Sequence, residues 1–314
     1  MKLARSFSPF DAELNTDLCD PYTNAELTLT LKLGFRQINP PAGAAVGAYY
    51  DAGNVNNATR RIVRWTAGSW NLWKQNLVAT ATRFWDGKFW LSNNFALYEC
   101  EKNPLGFWIP ESSISAGLQP WNSQPWLADD FRIYDDGASN PRYRPNIWCR
   151  LKIVANDISF GGHHHVINVV RLHQDEPFFS SNTRFFDNRD NNVERTGIDS
   201  KGQPIMQRAN VHEIGHLLGL GHVDIGKPHC PPGNQTNASQ CYGVADIDQY
   251  SVMGRGMQLR TEHAMPWRRA MVALSGKGNV LTTTDWEARM QKIYPRLPGE
   301  AAANTMLTRR PNRK

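Results

Sequence analysis

The sequence contains no uncharged apolar run approaching the ~20 residues that a membrane-spanning helix needs, so a helical membrane protein is excluded and a soluble one expected. It has no internal repeat, which argues against a repeat array. Charge is sparse: 20% of residues are charged, and residues 298–314 supply +3 of the net +6. The remainder is nearly balanced, and no nucleic-acid partner is expected. The five cysteines are an odd number and cannot all pair within one chain. The first ten residues lack the apolar segment of a secretory signal, and Asp11 and Glu13 arrive too early for one. The expectations for location are export by a route that reads no such signal, a signal lying outside this sequence, or residence in the cytoplasm.

What is present suffices for a sizeable core. The 314 residues are 40% apolar, enough for one large domain or two ordinary ones. Eleven tryptophans point to aromatic packing, with an exposed ligand surface as the alternative. Leu27, Leu29, Leu31 and Leu33 alternate with Thr28, Thr30 and Lys32, predicting a strand. Helical period is read over 57–78, with Ile62, Trp65, Ser69, Leu72, Trp73, Asn76 and Leu77 on one face. Residues 84–91 read as a strand or hairpin turning at Asp86-Gly87. Strands are expected at 147–154 and 166–172, and an irregular insertion at about 100–146. A helix is expected from Pro204 to about Leu218, and a last one from Asp285 to Ile293 capped by Thr284. This order of elements indicates an α+β fold.

The decisive segment is His212-Glu213-Ile214-Gly215-His216-Leu217-Leu218-Gly219-Leu220-Gly221-His222. Residues four apart share a helix face, so His212 and His216 suit one Zn²⁺ at roughly 2.0–2.1 Å. Glu213 stands beside those ligands without being one. Gly219 can take the left-handed conformation that ends a helix, returning the chain so that His222 becomes a third ligand. Three imidazoles leave one position open, as catalytic zinc sites do. From the chain's own composition, the five fixed residues would coincide by chance roughly twice in 100,000 such sequences.

HExxHxxGxxH resembles the signature of the metzincin metalloendopeptidases, and Ser251-Val252-Met253-Gly254 resembles their Met-containing turn. The resemblance is specific over 204–254 and elsewhere is one of element order. It implies a metzincin-like catalytic domain: a twisted mixed sheet, two main helices and a small C-terminal subdomain below the cleft. The implied division is an N-terminal extension (1–24), a catalytic subdomain (25–222), a subdomain carrying the Met-turn (223–297) and a disordered basic tail (298–314). Met253 would floor the zinc site. Arg255 stands where some metzincins place a tyrosine ligand, so that ligand is not carried over. The residue after the third histidine is Val223, which assigns no subfamily.

Weaker signals surround this motif. Cys230 and Cys241 flank turn residues and are expected to form a disulfide, with two reduced thiols as the alternative. Cys149 falls on the apolar face of its strand as a buried thiol. Asp224 would anchor the zinc helix or lie solvated. Asp187, Asp190 and Asp199 are oxygen donors suited to Ca²⁺, weighed against a polar surface loop. Cys19-Asp20 would be a latency segment only if it reached the zinc; a plain N-terminal stretch is the simpler reading. Adjacent histidines 163–165 cannot all face one ion and read as a solvent-exposed run. His263 is read as structural rather than as an aid to an oxyanion.

The expected function is a zinc endopeptidase acting on protein or peptide substrates, with a zinc-activated water and Glu213 as general base. The substrate would add as a strand along 166–172. A secreted or delivered toxin or effector is one biological setting. The alternative is a non-catalytic binding protein with a structural zinc and a tryptophan-rich surface.

Overall fold

The computed structural model describes residues 2–16, 25–50, 59–93, 146–176, 181–233, 237–274 and 281–291, with short strands at 97–99, 107–108 and 142–143. The proposed insertion at 100–146, the basic tail and Cys19-Asp20 lie almost wholly outside these residues. The fold is mixed α+β, built on one twisted sheet. Among the described residues, no helix is long and apolar enough to cross a membrane.

In chain order the strands begin with β1 (Lys2–Ser6), β2 (Asp11–Asn15), β3 (Ala25–Ile38), β4 (Val46–Tyr50) and β5 (Thr59–Val63). Helix α1 (Ala67–Trp85) precedes β6 (Phe89–Asn93), β7 (Leu97–Glu99), β8 (Phe107–Trp108), β9 (Arg142–Tyr143) and β10 (Asn146–Asp157). Then come β11 (His165–Val170), β12 (Phe185–Asp187), β13 (Glu194–Ile198) and β14 (Pro204–Gln207). Helix α2 (Ala209–Leu217), the short α3 (Asp246–Gln249), α4 (Met265–Leu274) and β15 (Trp286–Arg289) follow among the described residues.

The spine of the sheet is β3. Its alternation buries Leu27, Leu29, Leu31 and Leu33 completely. One side of β3 is lined by β10, parallel and in register from Ile147↔Ala25 to Asp157↔Phe35. The other side is shared: β2 takes Glu26–Thr30 antiparallel, and β11 takes Leu33–Ile38 parallel. Residues 2–15, set apart by sequence as an extension, are thus two strands of the main sheet, and β15 joins it through β6.

Several boundaries differ from the expectation. Residues 59–63 are not helical; they pair with β4, and the helix waits for Thr66, whose hydroxyl accepts from the Ser69 N–H at 3.1 Å in a capping box. The buried face of α1 is Trp70, Trp73, Leu77, Ala81 and Trp85, while Leu72 is exposed. Phe84 and Trp85 end this helix, so Asp86-Gly87 links α1 to β6 instead of turning a hairpin. Asp86 holds that corner by accepting from Arg150 Nε at 2.8 Å and the Leu151 N–H at 2.8 Å. Pro204 opens a strand, where its missing N–H is tolerated, and α2 starts only at Ala209. The expected last helix is β15: Trp286 and Ala288 are buried and alternate with Glu287, a period of two. Sequence reading passed over α4, although Trp267, Ala270, Met271 and Leu274 give it a helical apolar face.

Trp65, Trp70, Trp73, Trp85, Trp90, Trp267 and Trp286 are buried, and Trp148 is half-buried. Trp65, Trp70 and Trp73 form a nest with Phe35, with Trp70 and Trp73 stacked at 5.4 Å. Each indole N–H is taken: Trp65 by Val169 O, Trp70 by Asp157 Oδ1, Trp73 by Asp187 O. These rings are core, and the tryptophan surface expected of a binding protein is not formed by them.

Candidate metal centre

Helix α2 carries the site, and the core fixes it. Trp85 Nε1 donates to Val211 O at 3.1 Å, and Asn210 Nδ2 to Thr80 Oγ1 at 2.7 Å, tying α2 to α1. Gly215 sits where a Cβ would overlap the Met253 sulfur and press on Trp85, so only glycine admits that contact. The helix ends in a Schellman motif: the Gly219 N–H reaches His216 O at 2.8 Å and the Leu220 N–H reaches Gly215 O at 3.0 Å. Gly219 makes this possible at φ +90°. The chain then reverses and brings His222 back against the helix.

His212, His216 and His222 converge. His216 Nε2 lies 3.0 Å from His212 Nε2 and 3.0 Å from His222 Nε2. His212 Nδ1 is 2.7 Å from Val252 O, and His216 Nδ1 is 2.8 Å from Leu220 O. A carbonyl only accepts, so both Nδ1 atoms carry the proton and both Nε2 atoms present lone pairs. Two lone pairs facing each other at 3.0 Å repel unless a cation lies between them. Ligands about 2.05 Å from a tetrahedral ion stand roughly 3.3 Å apart, close to the spacing found. The donor set therefore fits a divalent ion that accepts imidazole nitrogen, and among the described residues it is the one such cluster. Burial pushes the His212 and His216 pKa values down, His212 furthest because its histidine neighbours add to the effect. Both imidazoles are held neutral, the state that ligates.

The turn at 251–254 packs against this centre, with Val252 O on His212 Nδ1 and the Met253 sulfur beside Gly215. Met253 is 1% exposed, and its carbonyl accepts from the Val223 N–H at 3.1 Å, next to the third histidine. Gln207 is a residue that sequence reading missed. Its buried Nε2 shares its hydrogens among Val252 O (3.2 Å), Gly254 O (3.1 Å) and Gly256 O (3.0 Å), pegging the turn to the start of the helix. No sequence signal marks it, since three of its contacts are main-chain carbonyls, and its Nε2 also lies 3.3 Å from His212 Nδ1. Glu213 follows the first ligand on α2 and is 7% exposed; burial raises its pKa to about 8. A dication on the three imidazoles would act in the opposite direction. Tyr242, also missed, packs on His222 with ring centroids 3.8 Å apart.

The chain matches no family model, no curated protein and no solved structure. The chemistry of the site therefore rests on its own geometry.

The remaining predicted residues are placed as follows. Cys230 and Cys241 form a disulfide, and Cys149 is a buried free thiol. Asp224 is neither solvated nor attached to the helix. Fully buried, it pairs with Lys227 and with His229 Nε2 (2.7 Å) and accepts from the Val244 N–H (3.1 Å), bracing the loop after the motif. The three aspartates of the calcium reading do not come together. Asp187 and Asp190 are buried neighbours, with Asp190 Oδ2 accepting the Asp187 N–H at 2.8 Å. Burial and the Asp187 charge push the Asp190 pKa up. Asp199 instead closes its own turn, accepting from the Lys201 and Gln203 N–H groups and the Tyr250 hydroxyl.

His263 is structural. The Arg260 N–H donates to its Nδ1 at 2.9 Å, so its Nε2–H donates to Ser251 Oγ at 3.1 Å, at the start of the turn at 251–254. Burial pushes its pKa down to about 4. The expected strand addition along 166–172 meets an occupied edge. Strand β12 pairs with Asn168–Val170, and Arg171–His173 bond to Arg61 and Val63.

Proposed function

We propose that the protein is a metzincin-type zinc endopeptidase in which His212, His216 and His222 hold one ion and Glu213 is the general base. The observation that carries this reading is the pair of bare, facing Nε2 atoms whose rings are fixed by Nδ1–H bonds to carbonyls, with a buried carboxylate at the next helical position. A zinc ion held by these three imidazoles would supply Lewis acidity to a scissile carbonyl and to a water molecule. Glu213 takes a proton from the attacking water on its carboxylate and delivers it to the leaving amine. Glu213 is 7% exposed, which removes its carboxylate from bulk water. A structural zinc site has no use for this carboxylate, which separates the reading from that of a non-catalytic binding protein. The Cys230–Cys241 bridge supports an oxidising working environment, as for a secreted or delivered enzyme.

The test is a peptide library incubated with zinc-loaded protein, with a chelator, and with Glu213→Ala. The parent should cleave, the chelator should stop it, and the variant should lose ~10²–10⁴-fold in rate with its zinc retained. A zinc-replete parent that cleaves nothing would reject the enzyme, and equal rates for parent and variant would reject Glu213 as base.

A further inference from the structure

His212 and His216 stand four apart on one helix, whereas His222 comes from the turn beyond it, outside the helical period. We propose that Tyr242 is a positioning residue for this third ligand, its ring holding the His222 imidazole in the orientation that completes the metal centre. This inference rests on the metal-binding part of the function proposed above and is independent of peptide hydrolysis.

Three rings make a layered group. The Tyr242 ring lies 3.8 Å from that of His222, tilted by 34°, and 5.9 Å from that of His212 at 16°. His212 and His222 are themselves 5.4 Å apart at 22°. A ring so close blocks rotation of the imidazole about its Cβ–Cγ bond, leaving fewer orientations to be lost when a metal binds. Tyr242 can serve as a platform because it is itself anchored. The preceding residue, Cys241, is bonded to Cys230, and its carbonyl accepts the Asp224 N–H at 3.0 Å. The Asp224 carboxylate in turn accepts the Val244 N–H at 3.1 Å. Segments 222–224 and 241–244 are thus fastened to each other on either side of the ring contact, and the Arg255 guanidinium lies over the same tyrosine at 5.9 Å.

The ring, and not the hydroxyl, performs this task, which sets the experiment. Zinc affinity of the full chain is measured by competition with a chromophoric chelator for the parent, Tyr242→Ala, Tyr242→Leu and Tyr242→Phe, and visible spectra are recorded with cobalt in place of zinc. Loss of a residue that orients a ligand typically weakens metal binding ~10–100-fold. That loss is expected for alanine and for leucine, which keeps bulk beside Cys241 should alanine fail to fold. Phenylalanine should stay within about threefold of the parent. The cobalt bands should change in the leucine variant and persist in the phenylalanine one. Parent-like affinity and spectrum in the leucine variant would overturn the proposal, as would a phenylalanine variant as weak as leucine. A parent that binds neither metal would overturn the metal centre itself, and this inference with it.

Discussion

Two histidine triplets stand in this chain, and they behave in opposite ways. Histidines 163–165 are consecutive, and the backbone spreads them. His163 packs against Gly34, and His164 Nδ1 accepts the Lys32 N–H at 3.0 Å while its Nε2 lies 3.4 Å from Asp11. His165 Nε2 contacts Pro9 O at 3.0 Å. Half-buried rather than solvent-exposed as expected, they fasten β11 to β3 and to the β1–β2 turn. His212, His216 and His222 are spaced by four and six, yet their Nε2 atoms meet. Adjacent residues in extended chain point to alternate faces, whereas helical spacing followed by a reversal brings distant ones together. The lesson is that ligand sets are found by period and turn, not by density of the residue type.

The largest effect that would break this contrast is removal of one convergent ligand. His216→Ala should abolish stoichiometric zinc by elemental analysis, because two imidazoles make an incomplete site. Substituting all three of His163, His164 and His165 by asparagine should leave one zinc per chain, though at lower thermal stability. Equal zinc loss in both proteins would erase the distinction.

Next comes the floor of the centre. Gly215→Ala forces a methyl against Met253 and Trp85 and should destabilise by about 1–3 kcal/mol, read as a lower Tm in apo and zinc-loaded protein alike. Reducing the Cys230–Cys241 bridge, which closes a loop of sequence separation 11, should cost roughly 3 kcal/mol on the chain-entropy model. Denaturant unfolding with and without reductant measures it, and unchanged midpoints would refute it.

The smallest effect belongs to the spread triplet. Lys32 Nζ, 2.6 Å from Asp11, holds that carboxyl down at about 2. A depressed folded-state pKa gives stability that is complete above the unfolded value near 4 and fades as pH falls to about 2. The pair is partly solvated, so it contributes about 1 kcal/mol at most. Asp11→Asn should flatten the stability profile in that pH window alone.

The three convergent histidines, the carboxylate beside them and the turn at 251–254 were legible in the sequence because they are set by local spacing: four along a helix, a glycine to reverse, a methionine in a turn. The strand β3 was legible for the same reason, its leucines alternating over seven positions, Leu27 to Leu33. Residues 59–63 and 286–289 were misread because their partners, β4 and β6, lie elsewhere in the chain, and pairing outweighs a short apolar period. Tyr242 and Gln207 were invisible because what they touch is settled only when segments far apart in sequence meet.

The peg at Gln207 has a practical consequence for protein engineering. A designer who transplants this centre into another scaffold by copying 212–222 would leave behind the side chain that ties the turn at 252–256 to the helix. The smallest portable cassette runs from the glutamine to the end of that turn. Its two boundaries are close in space, so a host needs to offer only one insertion point.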